Sequence, residues 1–270
     1  MRHRAALSAL LALCLLRAGR PALATDNDVG SGPFDPRDRY LSAERPDITD
    51  STSTVGRGVL QLESGVTLGR SGENHHVSAP DMLLRIGTST RAEIRIGVPT
   101  LTLDRANDTR ASGLSDAQIS FKMRLTKPGV GRGLLHPKLS LTAQAQVPTG
   151  SSAVGEPNWQ PGVKLGVGYA LGERASVTMN LVHDRASAGG VRFDRTTASA
   201  SFEFKPSTRV HPILEYLRQM PTAPGAADTG LVDVGVAVWA RKDLAFDALV
   251  GINVDGTDAH FLTFGVTRRW

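Results

Sequence analysis

From residue 58 onward the chain alternates apolar residues with polar or small ones, in segment after segment. A repeat of two puts successive side chains on opposite faces of an extended strand, whereas an amphipathic helix repeats every 3.6 residues. Twelve segments carry the pattern: 59–68, 82–87, 92–98, 115–125, 138–147, 163–171, 176–183, 195–204, 209–217, 232–239, 244–253 and 260–270. Ile119, Phe121, Met123 and Leu125 share one face, opposed by Gln118, Ser120, Lys122 and Arg124. Val232, Val234, Val236 and Val238 likewise oppose Asp233, Gly235 and Ala237. Two-faced strands of about ten residues suit a membrane β-barrel. Unpaired strand edges find no water to bond in lipid, so such strands must close on themselves. The pattern predicts an all-β, closed antiparallel transmembrane barrel of about 12 strands over residues 58–270.

The connections alternate in length. Residues 69–81, 99–114, 148–162, 184–194 and 218–231 predict long loops, and 254–259 a shorter one on the same side. Residues 88–91, 172–175, 205–208 and 240–243 predict tight turns, with the Gly- and Pro-rich 126–137 as the exception. Short periplasmic turns and longer extracellular loops distinguish an outer-membrane barrel from a soluble sandwich. Pro212, inside the ninth segment, predicts a bulge or a strand that begins after it.

Aromatic residues are scarce: 3 Trp, 3 Tyr and 8 Phe. Even so, Tyr169, Phe202, Phe204, Phe246 and Trp270 all fall on the apolar face near the short-turn ends, which predicts a membrane girdle at one interface. Leu262, Phe264, Val266 and Trp270 share a face at the C-terminus. This ending resembles the recognition signal of bacterial outer-membrane proteins. It implies outer-membrane lipids and the outer-membrane assembly machinery as partners, the latter through the last strand.

The N-terminus reads as an export signal. Arg2, His3 and Arg4 precede an apolar run over 7–16, and Ala22-Leu23-Ala24 fits a signal-peptidase site. The predicted signal is 1–24, followed by export to the periplasm and location in the outer membrane. It carries Arg2, Arg4, Arg17 and Arg20; taking these four from 31 Lys and Arg leaves 27 against 26 acids, so the net charge falls from +5 to +1. A nearly neutral mature chain gives no reason to infer a nucleic-acid partner. The single cysteine, Cys14, lies in the signal, so the mature chain has no disulfide or cysteine metal site.

Residues 25–57 are rich in Asp, Arg, Pro, Ser and Thr and have no apolar stripe. They predict a polar N-terminal extension, either periplasmic or folded into the lumen as a partial plug. The polar face of the strands holds many charges: Glu63, Arg85, Glu93, Arg95, Asp116, Lys122, Arg124, Lys138, Lys164, Glu203, Glu215, Asp233 and Asp247. These are the predicted lumen-lining residues. Strand order places Arg85 near Glu93 or Arg95, and Asp233 near Asp247. Such charges either pair and fill a closed lumen or line a narrow aqueous path.

Glu44-Arg45-Pro46-Asp47-Ile48-Thr49, followed by Gly58-Val59-Leu60-Gln61-Leu62-Glu63-Ser64-Gly65, resembles the opening of a bacterial outer-membrane "transporter" family. The family is known as putative MetA-pathway of phenol degradation. Gly113-Leu114-Ser115-Asp116, Val147-Pro148-Thr149-Gly150 and the spacing of 232–270 also resemble it. The resemblance implies a membrane barrel for small, hydrophobic or aromatic solutes.

No catalytic signature, cofactor motif or metal-binding spacing stands out: Gly-x-Ser-x-Gly, a phosphate loop and His-Glu-x-x-His are all missing. His75 and His76 read as a solvated loop pair. His183 faces the apolar side without a serine two residues away. The expected function is a passive, porin-like pore for a small solute whose identity stays open. The alternatives are a structural barrel with a filled lumen and, less favoured, a lipid-active enzyme.

Overall fold

The computed structural model describes residues 40–106, 109–126, 136–221, 223, 225–255 and 258–270. The predicted signal 1–24, residues 25–39 of the extension and most of connection 126–137 lie outside the described residues. The chain forms β1 (Leu60–Ser71), β2 (Asn74–Gly87), β3 (Ala92–Val98), β4 (Leu101–Ala106), β5 (Thr109–Leu114), β6 (Ala117–Arg124) and β7 (Lys138–Val147). It continues with β8 (Gln160–Ala170), β9 (Ala175–Ala188), β10 (Val191–Phe204), β11 (Val210–Met220), β12 (Thr229–Arg241), β13 (Leu244–Asn253) and β14 (Ala259–Arg269).

These strands make twelve staves of a closed antiparallel barrel. The lower part of β2 pairs with β3, from Met82↔Val98 to Gly87↔Glu93, and its upper part with β4, from His75↔Arg105 to Ala79↔Leu101. β3 and β4 therefore share one stave. β6 and β5, which pair with them in turn, share the next. Prolines mark the joint. Pro80 lies where the β1–β2 register shifts between Gly65 and Thr67, and Pro99 separates β3 from β4. A bulge tolerates a residue without an N–H. Closure comes from β1 and β14, paired from Gln61↔Arg269 to Ser71↔Ala259.

The alternation becomes two environments. Val163, Leu181, Leu214, Val234, Phe246 and Phe264 point outward and are about half exposed, while Glu63, Arg85, Glu93 and Lys122 are fully buried. An outer surface this apolar is stable against lipid and not against water. A small apolar core lies inside, at the short-turn end, where Leu41 packs with Ala237, Trp239 and Ala245.

The predicted long loops need correction. Most of 69–81 and 184–194 is strand: β1 and β2 are joined through Gly72-Glu73, and β9 and β10 through Gly189-Gly190. Gly189 and Gly190 both have positive φ, 56° and 81°, which a two-residue hairpin turn of this twist requires. Similarly, 99–114 is the β4–β5 hairpin. The alternation in length survives as tall strands on one side and tight turns on the other. Above the lipid the side chains no longer need to alternate, but the backbone ladder and polar cross-strand pairs continue. His76 meets Asp104 at 2.6 Å and Arg185 meets Asp194 at 2.8 Å. His75 and His76 are thus strand residues, not a loop pair. Pro212 is also within its strand, without a bulge: the β10 ladder stops at Ile213, leaving Pro212 only β12 as a neighbour.

Segment 148–159 is a true loop, and two carboxylates latch it to the tall end. Asp116 accepts the N–H groups of Thr149, Gly150 and Glu156 at 3.1, 2.8 and 2.9 Å. Glu156 accepts from Gly190 N at 3.0 Å, Ser187 Oγ at 2.8 Å and Gly189 N at 2.8 Å. The Gly190 N–H, then the Ser187 hydroxyl and the Gly189 N–H, hold the Glu156 carboxyl below the ordinary glutamate range despite some desolvation.

The two-environment reading makes a direct prediction. Val234→Arg is expected to destabilise the barrel by about 2–4 kcal/mol if the side chain meets mid-bilayer lipid. Val234→Leu should change stability by less than about 1 kcal/mol. Equilibrium unfolding in lipid vesicles measures both; equal effects would place Val234 off the lipid face.

Candidate functional site

Residues 40–57 have no strand of their own and run inside the barrel, where the strands' polar faces bond them from all sides. The contacts begin with Arg85. Its Nε and Nη2 donate to the two oxygens of Glu93, each at 3.0 Å. Its Nη1 donates to Glu63 Oε1 at 3.0 Å and to the Ser42 carbonyl at 2.9 Å, and Nη2 lies 3.1 Å from Glu44. One guanidinium thus holds three carboxylates, and the third belongs to the internal segment. Lys122 Nζ donates to Glu44 at 2.7 Å and to the Ser51 carbonyl at 2.6 Å. Glu63 accepts the backbone N–H groups of Glu44 and Arg45 at 2.9 and 3.0 Å, and Glu93 that of Val55 at 2.6 Å.

Asp50 makes the second anchor. It accepts from Arg95 Nη1 at 2.8 Å and from Lys164 Nζ at 2.6 Å. Asn180 brackets its backbone: Asp50 N donates to Asn180 Oδ1 at 2.8 Å, and Asn180 Nδ2 donates to Asp50 O at 3.0 Å. Across the barrel, Glu215 accepts the N–H groups of Ile48 and Thr49 at 2.8 and 2.7 Å, and the Thr49 hydroxyl as well. Ser201 donates to Asp47 at 2.5 Å. Arg45 donates to Thr263 at 2.6 Å, with its Nε 3.3 Å from Asp247. That last approach is an ion contact without hydrogen-bond alignment, because both atoms lack a bonded partner.

The interior is therefore polarised. Arg85, Arg95, Lys122 and Lys164 lie on β2, β3, β6 and β8; Glu203, Glu215, Asp233 and Asp247 lie on β10 to β13. The internal segment gives Glu44 and Asp50 to the basic wall and Arg45 and two N–H groups to the acidic one. Buried charges are tolerable only when paired and bonded in this way.

The predicted lumen residues distribute as follows. Glu63, Arg85, Glu93, Arg95, Lys122, Glu215, Asp233 and Asp247 are buried inside. Lys164 is partly buried on Asp50. Arg124, Lys138 and Glu203 border a cavity at the short-turn mouth, and Asp116 holds the 148–159 loop at the tall end. Arg85 pairs with Glu93, as one of the two expected partners. Asp233 is not beside Asp247: it is opposite Gly251, and its like-charged neighbour is Glu215 on β11. Strand stagger separates the two aspartates, and pattern reading without register could not see it. Both oxygens of Asp233 are buried without a hydrogen-bond partner among the described residues.

Outside, Phe202, Phe204 and Phe246 are exposed near the short-turn end, with Tyr169 and Trp270 half-buried there. The Arg268 guanidinium is 5.9 Å from the Trp270 ring centroid and 2.8 Å from Asp243. His183 bonds Thr196 Oγ1 at 3.1 Å. Sequence reasoning missed the inner partners Asp47, Thr49, Asp50, Asn180 and Ser201. It also missed Trp239, whose Nε1 donates to the Leu41 carbonyl at 3.1 Å. The one available signal was the stretch 44–49, read above only as a family resemblance.

Cavities among the described residues flank the segment. One of about 440 Å³ and one of about 280 Å³ border its short-turn side, against Ser42, Ser51, Thr52 and Ser53 and against Tyr40–Glu44 respectively. A third, of about 310 Å³, lies toward the tall end beside Glu44, Asp47 and Asp50.

An apolar exterior, a closed antiparallel ladder and a charged interior define a β-barrel of the outer-membrane type. The chain belongs to the family described as Putative MetA-pathway of phenol degradation, which matches residues 43–269. An outer membrane channel from Pseudomonas putida F1 is similar in structure, with TM-score 0.62, 12% identity, and coverage of 82% of this chain and 98% of that one. A KdgM porin in complex with disordered oligogalacturonate gives 0.53 at 10% identity, covering 77% and 98%. The NanC porin gives 0.53 at 6% identity, also covering 77% and 98%. At these identities the likeness concerns the fold. No curated protein matches the sequence.

Two substitutions test the interior. Arg85→Ala leaves three carboxylates facing one another and is expected to cost about 3–5 kcal/mol. Asp233→Asn removes a charge without a bonded partner and is expected to be neutral or stabilising. Urea unfolding of refolded protein in vesicles checks both signs.

Proposed function

We propose that the chain is exported by way of residues 1–24 and acts in the outer membrane as a passive, porin-like channel for small solutes, with residues 40–57 as its internal plug. The observation that carries this reading is the binding of the segment to both walls, with cavities on either side of it. Leu41 packs with Ala237, Trp239 and Ala245 at one end, but polar anchors hold the rest of the segment, so that part can be solvated when displaced. A filled hydrophobic core could not. The family description supports hydrophobic or aromatic cargo, whereas the charged walls favour water-soluble solutes. We place the polar solute first, because an aqueous path between these walls attracts ions and hydrogen-bonding molecules.

A structural barrel with a filled lumen is the second reading. The full burial of Arg85 and its three carboxylate partners favours it. Catalysis is not proposed. The His183 imidazole faces outward, bonded to a threonine.

Planar-bilayer recording separates the two readings. Full-length protein should show small, stable conductance, and deletion of residues 40–57 should raise it several-fold. Glu44→Gln with Asp50→Asn, which weakens the segment's ion pairs to the basic wall, should give intermittent large openings. Silence from all three proteins, each refolded to a heat-modifiable band, would overturn the channel and leave the structural barrel.

A further inference from the structure

The cavity of about 440 Å³ at the short-turn mouth has a chemistry that the plug does not explain. Its wall carries the cationic side chains of Arg124, Lys138 and Lys205 and the hydroxyls of Ser51, Ser53 and Ser176. Arg124 and Lys138 reach it from adjacent strands. Arg124 is opposite Ser140 in the β6–β7 ladder, and Lys138 follows two residues nearer the mouth on the same inward face.

The carboxylates on this wall do not satisfy Arg124. Glu203 is already engaged by His211 at 2.6 Å, Lys205 at 2.9 Å and Ser176 at 3.1 Å. Glu173 is exposed in the β8–β9 turn. Arg124 is half-buried. Its Nε is buried with no bonded partner, and its Nη2 reaches only the Thr90 carbonyl, at 3.5 Å. Arg91, a second cation, lies alongside, its carbonyl accepting the Arg124 N–H at 2.7 Å. Among the described residues, a guanidinium desolvated beside another cation, with a donor left unused, lacks an acceptor, which a visiting anion or water can supply. The serines nearby bond one another: Ser53 Oγ is 2.7 Å from both Ser42 Oγ and Ser51 Oγ. Hydroxyls in such a chain can turn to donate or accept, so the wall suits a ligand that carries hydroxyls as well as charge.

We infer that this cavity binds a small hydroxylated carboxylate, with the carboxylate on Arg124 and the hydroxyls along the serine wall. Bidentate guanidinium recognition favours a planar carboxylate over a point anion. The inference deepens the channel reading by naming a solute class for one of its mouths, but binding itself requires no conduction.

The test is isothermal titration of the purified full-length protein in detergent with D-gluconate. Saturable binding is expected. Arg124→Gln should weaken it about tenfold or more, the loss of one charge-assisted pair, and Arg124→Lys should restore part of it. Glucose, without charge, and acetate, without hydroxyls, should bind more weakly than gluconate. Heat-modifiable migration of both variants establishes that they remain folded. Absence of saturable gluconate binding, an unchanged affinity in Arg124→Gln, or acetate binding as tightly as gluconate would overturn the site. If bilayer conductance persists while binding is absent, this inference alone falls. If binding persists without conductance, the channel reading falls and the site stands.

Discussion

The first and last strands meet edge to edge: Trp270 N donates to the Leu60 carbonyl at 2.8 Å, and the ladder continues as far as Ser71 and Ala259. Everything else in the molecule depends on that seam. In hydrocarbon an unpaired N–H or carbonyl costs several kcal/mol, and a sheet has two rows of them unless it closes. Closure gives the chain one surface for lipid and one interior sealed from lipid. The alternating sequence then has a single consistent assignment, because a slip of one residue would send Glu63 and Arg85 into the bilayer.

Sealing the interior creates a second problem, which residues 40–57 resolve. A basic wall over β2 to β8 faces an acidic wall over β10 to β13. Two such walls in a closed space require either water or counter-charges. The internal segment supplies charges of opposite sign, Glu44 and Asp50 toward Lys122 and Lys164 and Arg45 toward Asp247, while Asp47 on the acidic side is held by the Ser201 hydroxyl. Backbone N–H groups complete the acidic side, where Glu215 takes two of them. Charges buried in this way are stable because each meets a partner and further hydrogen bonds.

The two ends of the barrel differ for the same reason that its two faces do. Lipid requires alternation only across its own thickness. Above it the strands continue with polar pairs, and the Asp116 and Glu156 carboxylates fasten the 148–159 loop by its backbone N–H groups. At the other end the strands turn back quickly, and exposed aromatics such as Phe202, Phe204 and Phe246 lie near the turns.

The sequence by itself determined the twelve-stave barrel, the assignment of faces within the lipid and most of the strand charges that turn inward. A period of two is a local property: each residue reports on which side of one strand it sits. So Val234 could be read as outward and Asp233 as inward without knowing any neighbour. Tertiary structure alone decided where strand ended and loop began above the lipid, which like charges were neighbours, and what filled the lumen. Strand stagger placed Asp233 beside Glu215 rather than Asp247, and stagger is set by the whole closed ladder. Residues 40–57 left no periodic trace because most of them meet polar groups on every side, with Leu41 seated in the small apolar core. Their partners come from strands as near as Glu63, 18 residues from Arg45, and as distant as Phe264, 219 residues from the same Arg45. A segment whose environment is built by the rest of the chain cannot announce that environment in its own pattern.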